Sequence, residues 1–341
     1  MTRKISLLLF TVVLIFTSCK QKESNQNITL KHQTLMYNNY LLGAPHSLIL
    51  LDTFLIVADH QTDSIFHVIN ANTGMELYKT GHCGQGPNEF LLTSIIASNG
   101  DSAFFYDLNK RSLYFLTQQP CNKIHIENFD TFRSDTLSHN YVAPIKNQFI
   151  ATGVYLHARF CLLDYSGKLI DKYSTFPYKD EKEKNLSGII LSQVYLGRLT
   201  VQPGGNRFAC AQDNAKILTI FSVSDNKISL EKEIVGNYPE YRLVSEEYCG
   251  LKHDSPYGYM AICASKNYIY TLYSGKSYEK YSSSAFYSTE LIKYNWQGEE
   301  VGHYYLDVPC SQLCVTPDDK IVYAISYENN PEIVKFEIPI N

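Results

Sequence analysis

The sequence predicts an all-β chain folded as a six-bladed β-propeller of four-stranded antiparallel blades, with the last blade closed by an N-terminal strand. Three observations predict it. First, six short apolar strands recur: FLIVAD (54–59), AFFYD (103–107), FIATG (149–153), FACAQD (208–213), YIYTLY (268–273) and IVYAIS (321–326). Their starts lie roughly 45 to 60 residues apart, near the period that marks propellers and solenoids. Second, an apolar stretch precedes each and another strand follows it; in four of the six a tight turn and a further strand come next. Those turns (NANTGM, DYSGK, SDNK, NWQGE) are rich in Asn, Asp and Gly, as hairpins needing positive φ require. Third, helical periodicity is almost absent. Four-stranded units repeated six times close into a propeller. A solenoid would need shorter, more uniform coils, and two sandwiches would not explain six copies of one order.

The chain begins with an address. Arg3 and Lys4 form a basic start, Ile5 to Phe16 is mostly apolar, and Thr17-Ser18 precede Cys19. Such a segment is too short for a stable membrane-spanning helix and reads as a secretory signal over residues 1–18. A small-residue pair directly before a cysteine resembles a bacterial lipobox, with Phe16 where Leu is usual. That resemblance implies acylation of Cys19. Two or three acyl chains hold a protein on a membrane far better than one does. After Cys19, residues 20–27 continue as KQKESNQN, polar and aperiodic, and 19–27 read as a flexible tether. Lys20 rather than Asp leans towards the outer membrane. The expected location is therefore the cell envelope, as a membrane lipoprotein of the outer membrane, facing the periplasm or the surface.

The propeller follows over residues 28–341. The composition is globular, with 45% hydrophobic and 19% charged residues, and 27 Tyr against one Trp. Removing Arg3 and Lys4 leaves 28 basic against 34 acidic side chains. An acidic body carries no basic stripe for nucleic acid. Eight cysteines remain beyond Cys19. Cys161, Cys210 and Cys263 sit in strand-like apolar runs and read as buried small hydrophobes. Cys310 and Cys314, four apart on one strand, would face the same side at ~13 Å and cannot bond each other. No C-x-x-C pair and no zinc-spaced His cluster occurs, so no metal and no cofactor is predicted.

The strand count assigns one more role. The sixth unit ends after its third strand, and ITLKHQTLMY (28–37) is an orphan. It is expected to supply the outer strand of the last blade and close the ring, which removes exposed sheet edges.

VADHQTDSIFHVINANTGMELYKTGHCGQGPNEF (57–90) resembles the first blade of the TolB-like six-bladed propeller lipoproteins of Bacteroides-type bacteria. The parts that carry the likeness are Leu55-Ile56-Val57-Ala58-Asp59 and a G-x-G-x-G-P-x-E-F pattern, here Gly81-His82-Cys83-Gly84-Gln85-Gly86-Pro87-Asn88-Glu89-Phe90. This chain has His82-Cys83 where the family usually has a basic residue and Gly. TPDDKIVYAIS (316–326) resembles the PDG-type turn of TolB and related propellers. The resemblance runs from about residue 28 to the end, strongest over 41–116. It implies fold and anchoring and no particular activity.

In a propeller the loops alternate between two faces. The long connections at 80–91, 130–140, 176–197 and 236–256, with the loop at 274–287, fall on one face. Long loops in compact domains tend to be functional, so this face is the expected binding surface. Its candidate ligand-binding residues are His82, Gln85 and Glu89 near the channel mouth, His157 and Arg159, Asp213, and Tyr273, Tyr278 and Tyr281. Tyrosines suit sugar or peptide recognition. The charge run 180–184 (DEKEK) reads as solvated. The loop Gly81–Phe90 has no helix after it to hold phosphate and reads as structural, with Phe90 a wedge between blades. Asp59, Asp107 and Asp213 recur at a strand end and read as backbone caps; a calcium ring, as in lactonase-type propellers, is the alternative. His60, His82, His157 and His253 fall near the face, but no nucleophile motif accompanies them.

The expected function is a lipid-anchored, non-catalytic binding protein that offers this face to a glycan, a peptide or an envelope protein. The alternative is a propeller enzyme, a lyase or lactonase-type hydrolase, working at the central channel mouth.

Overall fold

The computed structural model describes residues 28–35, 42–60, 63–86, 89–91, 93, 97–98, 102–119, 123–129, 132, 137–328 and 330–339. The expected signal, Cys19 and the expected tether lie outside these residues. Strand pairing builds six antiparallel units in chain order. Blade 1 is Pro45–Leu51, Phe54–Asp59, Ser64–Asn70 and Glu76–Cys83. Blade 2 is Ala97–Ser98, Ala103–Asp107, Ser112–Gln119 and Lys123–Asn128. Blade 3 is His139–Ile145, Gln148–Gly153, Phe160–Leu163 and Leu169–Tyr173. Blade 4 is Gly197–Val201, Arg207–Gln212, Ile217–Ser224 and Lys227–Val235. Blade 5 opens with Tyr259–Ala264, Tyr268–Tyr273 and Ser288–Asn295.

Blades 5 and 6 share one strand. Glu300–Val315 is the outer strand of blade 5 in its first half and the inner strand of blade 6 in its second. Ile321–Ser326 and Glu332–Glu337 complete three strands of blade 6. The shared strand shifts register between Cys310 and Gln312. A bulge breaks the two-residue alternation of side chains. Cys310 therefore packs between blades 5 and 6, whereas Cys314 packs between blades 6 and 1. This corrects the expectation that both face one side; both thiols are free, as are those of Cys161, Cys210 and Cys263.

The inner strands neighbour one another in a closed circle, blade 1 to 2 and onward to 6, with blade 6 returning to blade 1. The cores obey the same count. Each neighbouring pair of blades shares one buried cluster: Phe66 with Phe105, Tyr106 with Phe149, Phe160 with Phe221, Leu218 with Tyr294, Leu291 with Phe336, and Ile325 with Val57. A four-stranded blade is apolar on both faces, so it is stable only between two others. Much of the tyrosine and phenylalanine is spent here.

The N-terminal segment closes the circle in two pieces. Gln33 and Thr34 pair antiparallel with Lys335 and Val334, supplying the fourth strand of blade 6. Ile28–Leu30 instead runs parallel to Tyr304–Leu306 and adds a strand to blade 5. Asp307 holds the step between them: it accepts from the His32 amide at 3.0 Å. The expected closing strand is thus real but straddles two blades; residues 36 and 37 lie outside the described residues.

Candidate functional site

The inner strands of blades 1 to 5 start, and the second strands end, on the face that carries the long connections. That face holds the channel mouth. His46, in the first inner strand, stacks on His60 at 3.8 Å between ring centroids. Its Nε2 lies 3.4 Å from Thr93 Oγ1, and its Nδ1 is buried with no hydrogen-bond partner among the described residues. Burial, with His60 beside it, pushes the His46 pKa down to about 3. Burial lowers His60 as well, against the pull of Asp59. His46 is therefore neutral at physiological pH.

Across the channel, Arg198 of blade 4 pairs with Asp213 at 3.3 Å. Burial raises the Asp213 carboxyl, and Arg198 opposes the rise. Tyr141 of blade 3 is raised by burial and feels both members of that pair. Tyr327 of blade 6 donates to the Pro45 carbonyl at 3.3 Å and stacks on Tyr287 at 4.7 Å. The mouth thus gathers phenol rings, two imidazoles and a self-neutralised ion pair from five blades. No group of three or more metal-ligating side chains forms among the described residues.

The recurring aspartates split. Asp107 accepts from the Asn109, Lys110 and Leu91 amides, a backbone cap. Asp59 accepts from the Gly43 and Ala44 amides and so caps the entering segment. Asp213 does neither, because its carboxylate serves Arg198.

The predicted residues are not one constellation. His82 and Gln85 are exposed at the rim of blade 1. Glu89 turns inward and accepts from the Gly86 amide at 2.7 Å. A Cβ on Gly84 would fall 2.1 Å from the Glu89 carboxylate, so a side chain there would displace that carboxylate from the Gly86 amide. Lys110 donates to the carbonyls of Gly86 and Glu89, tying the loop to blade 2. The loop is structural, and Phe90 lies between Phe66 of blade 1 and Phe105 and Tyr114 of blade 2.

His157 is exposed on the loop of blade 3. Arg159 is 4% exposed, inside the blade 3–blade 4 interface. Its guanidinium lies 4.8 Å from the Phe160 ring centroid and donates to Thr219 at 3.1 Å. It is a packing residue there and presents nothing to the face. Tyr273 is half-buried with the Lys216 ammonium over its ring at 4.4 Å. Tyr278 and Tyr281, on the short helix Tyr278–Tyr281, are exposed. Of the nine, Asp213 alone belongs to the mouth cluster. His46, Thr93, Tyr141 and Arg198 escaped sequence reasoning. Three of them share a legible signal: His46, Tyr141 and Arg198 are polar side chains within the first residues of an apolar inner strand.

The two longest connections fold together beside the mouth. Helix Gly188–Val194 and hairpin Tyr241–Leu243/Cys249–Leu251 bury a seventh cluster that includes Phe176, Leu191 and Cys249. The helix is capped by Ser187, which accepts from the Ile190 amide. Glu183 is buried beneath and accepts from Tyr195, Tyr241 and the Lys179 amide. This corrects the reading of 180–184 as wholly solvated. A cleft of about 330 Å³ opens over it, lined by Lys179, Glu240 and Leu243 among others. Leu243, Val244 and Tyr248 stand exposed on one long loop, and Tyr278, Tyr281 and Phe286 on another. The Pro256–Ser277 bridge joins the two loops that carry them.

A closed wheel of six blades with a polar axial mouth and a built-up rim is a six-bladed propeller. The chain belongs to the TolB-like 6-blade propeller-like family, whose profile matches residues 20–318. No curated protein matches it. In fold it is similar to a Bacteroides fragilis protein described as exported, with TM-score 0.59 and 13% identity over 94% of this chain and 98% of that one. It is also similar to Kuenenia stuttgartiensis hydrazine synthase, with TM-score 0.51 and 12% identity over 90% and 99%. At these identities the likeness is one of fold.

Proposed function

We propose that the protein is a lipid-anchored, extracytoplasmic binding protein whose long-loop face takes a polypeptide of the cell envelope. The observation that carries this is the exposed group Leu243, Val244, Tyr248, Tyr278, Tyr281 and Phe286 on two bridged loops. Large exposed apolar groups rimmed by polar residues mark interaction sites, and aliphatic members favour a polypeptide over a sugar. The Bacteroides fragilis protein of similar fold is described as exported, which agrees with the signal and Cys19. The neighbouring polar mouth would orient the bound segment by hydrogen bonds.

The mouth also supports a second reading, a lyase or hydrolase using His46, Tyr141 and Arg198. A general base works best with a pKa near the working pH, and His46 is held near 3. Arg198 is already engaged by Asp213. Both facts favour binding over acid–base chemistry. The test is affinity capture from detergent-solubilised envelopes, with native chain against Tyr278→Ala/Phe286→Ala. A specific protein captured by the first and lost by the second supports the proposal. Capture of glycan alone, or equal capture by both, contradicts it.

A further inference from the structure

The channel differs at its two ends. Where the inner strands finish, on the face of short turns, lies a cavity of about 300 Å³ among blades 1, 4, 5 and 6. Leu50, Leu199, Ile262 and Leu313 supply apolar wall, and Thr200 and Gln312 add polar atoms. Asp52 and Lys266, both exposed, are the only charged residues of the described lining. Blade-to-blade hydrogen bonds brace the walls. Gln202 donates to the Lys266 carbonyl at 2.9 Å, joining blades 4 and 5. Tyr270 and Asn267 of blade 5 donate to Asp319 of blade 6 at 3.0 and 3.3 Å. The space is preformed.

We infer that this mouth is a second ligand site, taking a small, uncharged and mostly apolar molecule. Concave pockets of roughly 300 Å³ or more, with mostly apolar walls and a few placed polar groups, are the usual form of small-molecule sites. Apolar wall outweighs polar wall there, so an apolar guest that displaces weakly held water is favoured. A charged guest would lose hydration without gaining a partner inside. Binding is non-covalent: Cys263 lines the space, but burial raises its thiol pKa and keeps the proton on sulfur. The site stands apart from the long-loop face and does not depend on what that face binds.

The test uses N-phenyl-1-naphthylamine, an uncharged fluorescent amine, with the full chain carrying Cys19→Ser so that no detergent is needed. Thr200→Trp and Ala264→Phe each fill the cavity from a different blade, and melting curves establish which variants fold. Saturable emission by the parent protein, weakened about ten-fold or more by either folded variant and unchanged by Tyr278→Ala/Phe286→Ala, is the expected result. No saturable emission, undiminished binding by the filled variants, or loss with the loop variant instead would overturn the inference.

Discussion

The Tyr241 hydroxyl donates to Glu183 Oε1 at 2.9 Å, joining positions 58 apart in the chain. The Tyr195 hydroxyl and the Lys179 amide serve the same carboxylate, so one buried acid fastens both long connections beside the channel mouth. Donors to a charged acceptor contribute about 1.5–3 kcal/mol each, and orphaned ones cost a similar amount. Glu183→Ala is expected to lower stability by about 3 kcal/mol in urea titration, and Glu183→Gln by less. A loss under about 1 kcal/mol would show that the connections are held elsewhere.

Phe90 meets the Tyr114 ring at 4.9 Å and nearly at right angles, wedged between blades 1 and 2. Truncating a buried Phe costs about 3–5 kcal/mol. Phe90→Ala is expected to fall in that range by thermal melting. Gly84→Ala is expected to destabilise as well, since the new Cβ would push the Glu89 carboxylate off the Gly86 amide it accepts from. Unchanged melting of both would remove the wedge from the account.

His139 is buried against Tyr106 and hydrogen-bonds the Tyr155 hydroxyl at 2.5 Å. Burial takes its pKa from 6.5 to about 4. The unfolded chain then binds a proton that the folded chain refuses. Stability is full above the unfolded value and falls as pH drops from 6.5 towards 4, by on the order of 3 kcal/mol from this one group. His46 shifts the same way. Denaturation measured between pH 4 and 7 is expected to show a shallower slope in His139→Gln, by close to one proton. An equal slope would mean that His139 titrates alike in both states.

Cys19 carries the proposed anchor. Cys19→Ser is expected to leave the chain soluble after cell fractionation and free of incorporated labelled fatty acid. Membrane retention of that variant would contradict the lipid anchor.

The blade count was legible because each blade repeats one strand order, and because every apolar strand must meet a neighbour on both sides. The closing strand was legible from a deficit of one strand. The site was less so. Arg159 reads as a ligand-binding residue of the long-loop face, yet its planar head lies against Phe160 and Phe221, which no local pattern reveals. Asp213 sits where Asp59 and Asp107 cap backbone, and only the fold brings Arg198 to it. Glu183 sits in a charge run, and its burial depends on a tyrosine 58 positions away. Long-range pairing of this kind leaves no period in the sequence.

The central claim is a wheel of six blades closed by the N-terminal segment, through Gln33 and Thr34 on blade 6. The Leu35 amide donates to the Ile333 carbonyl at 2.9 Å, which makes Thr34 and Val334, the adjacent partners, a non-hydrogen-bonded pair. Cα atoms of such pairs lie about 4.5 Å apart, within reach of a disulfide. Mild oxidation of Thr34→Cys/Val334→Cys, read by peptide mass mapping, should yield a peptide linking positions 34 and 334. Recovery of both thiols unlinked from folded protein would mean that the ring is not shut there.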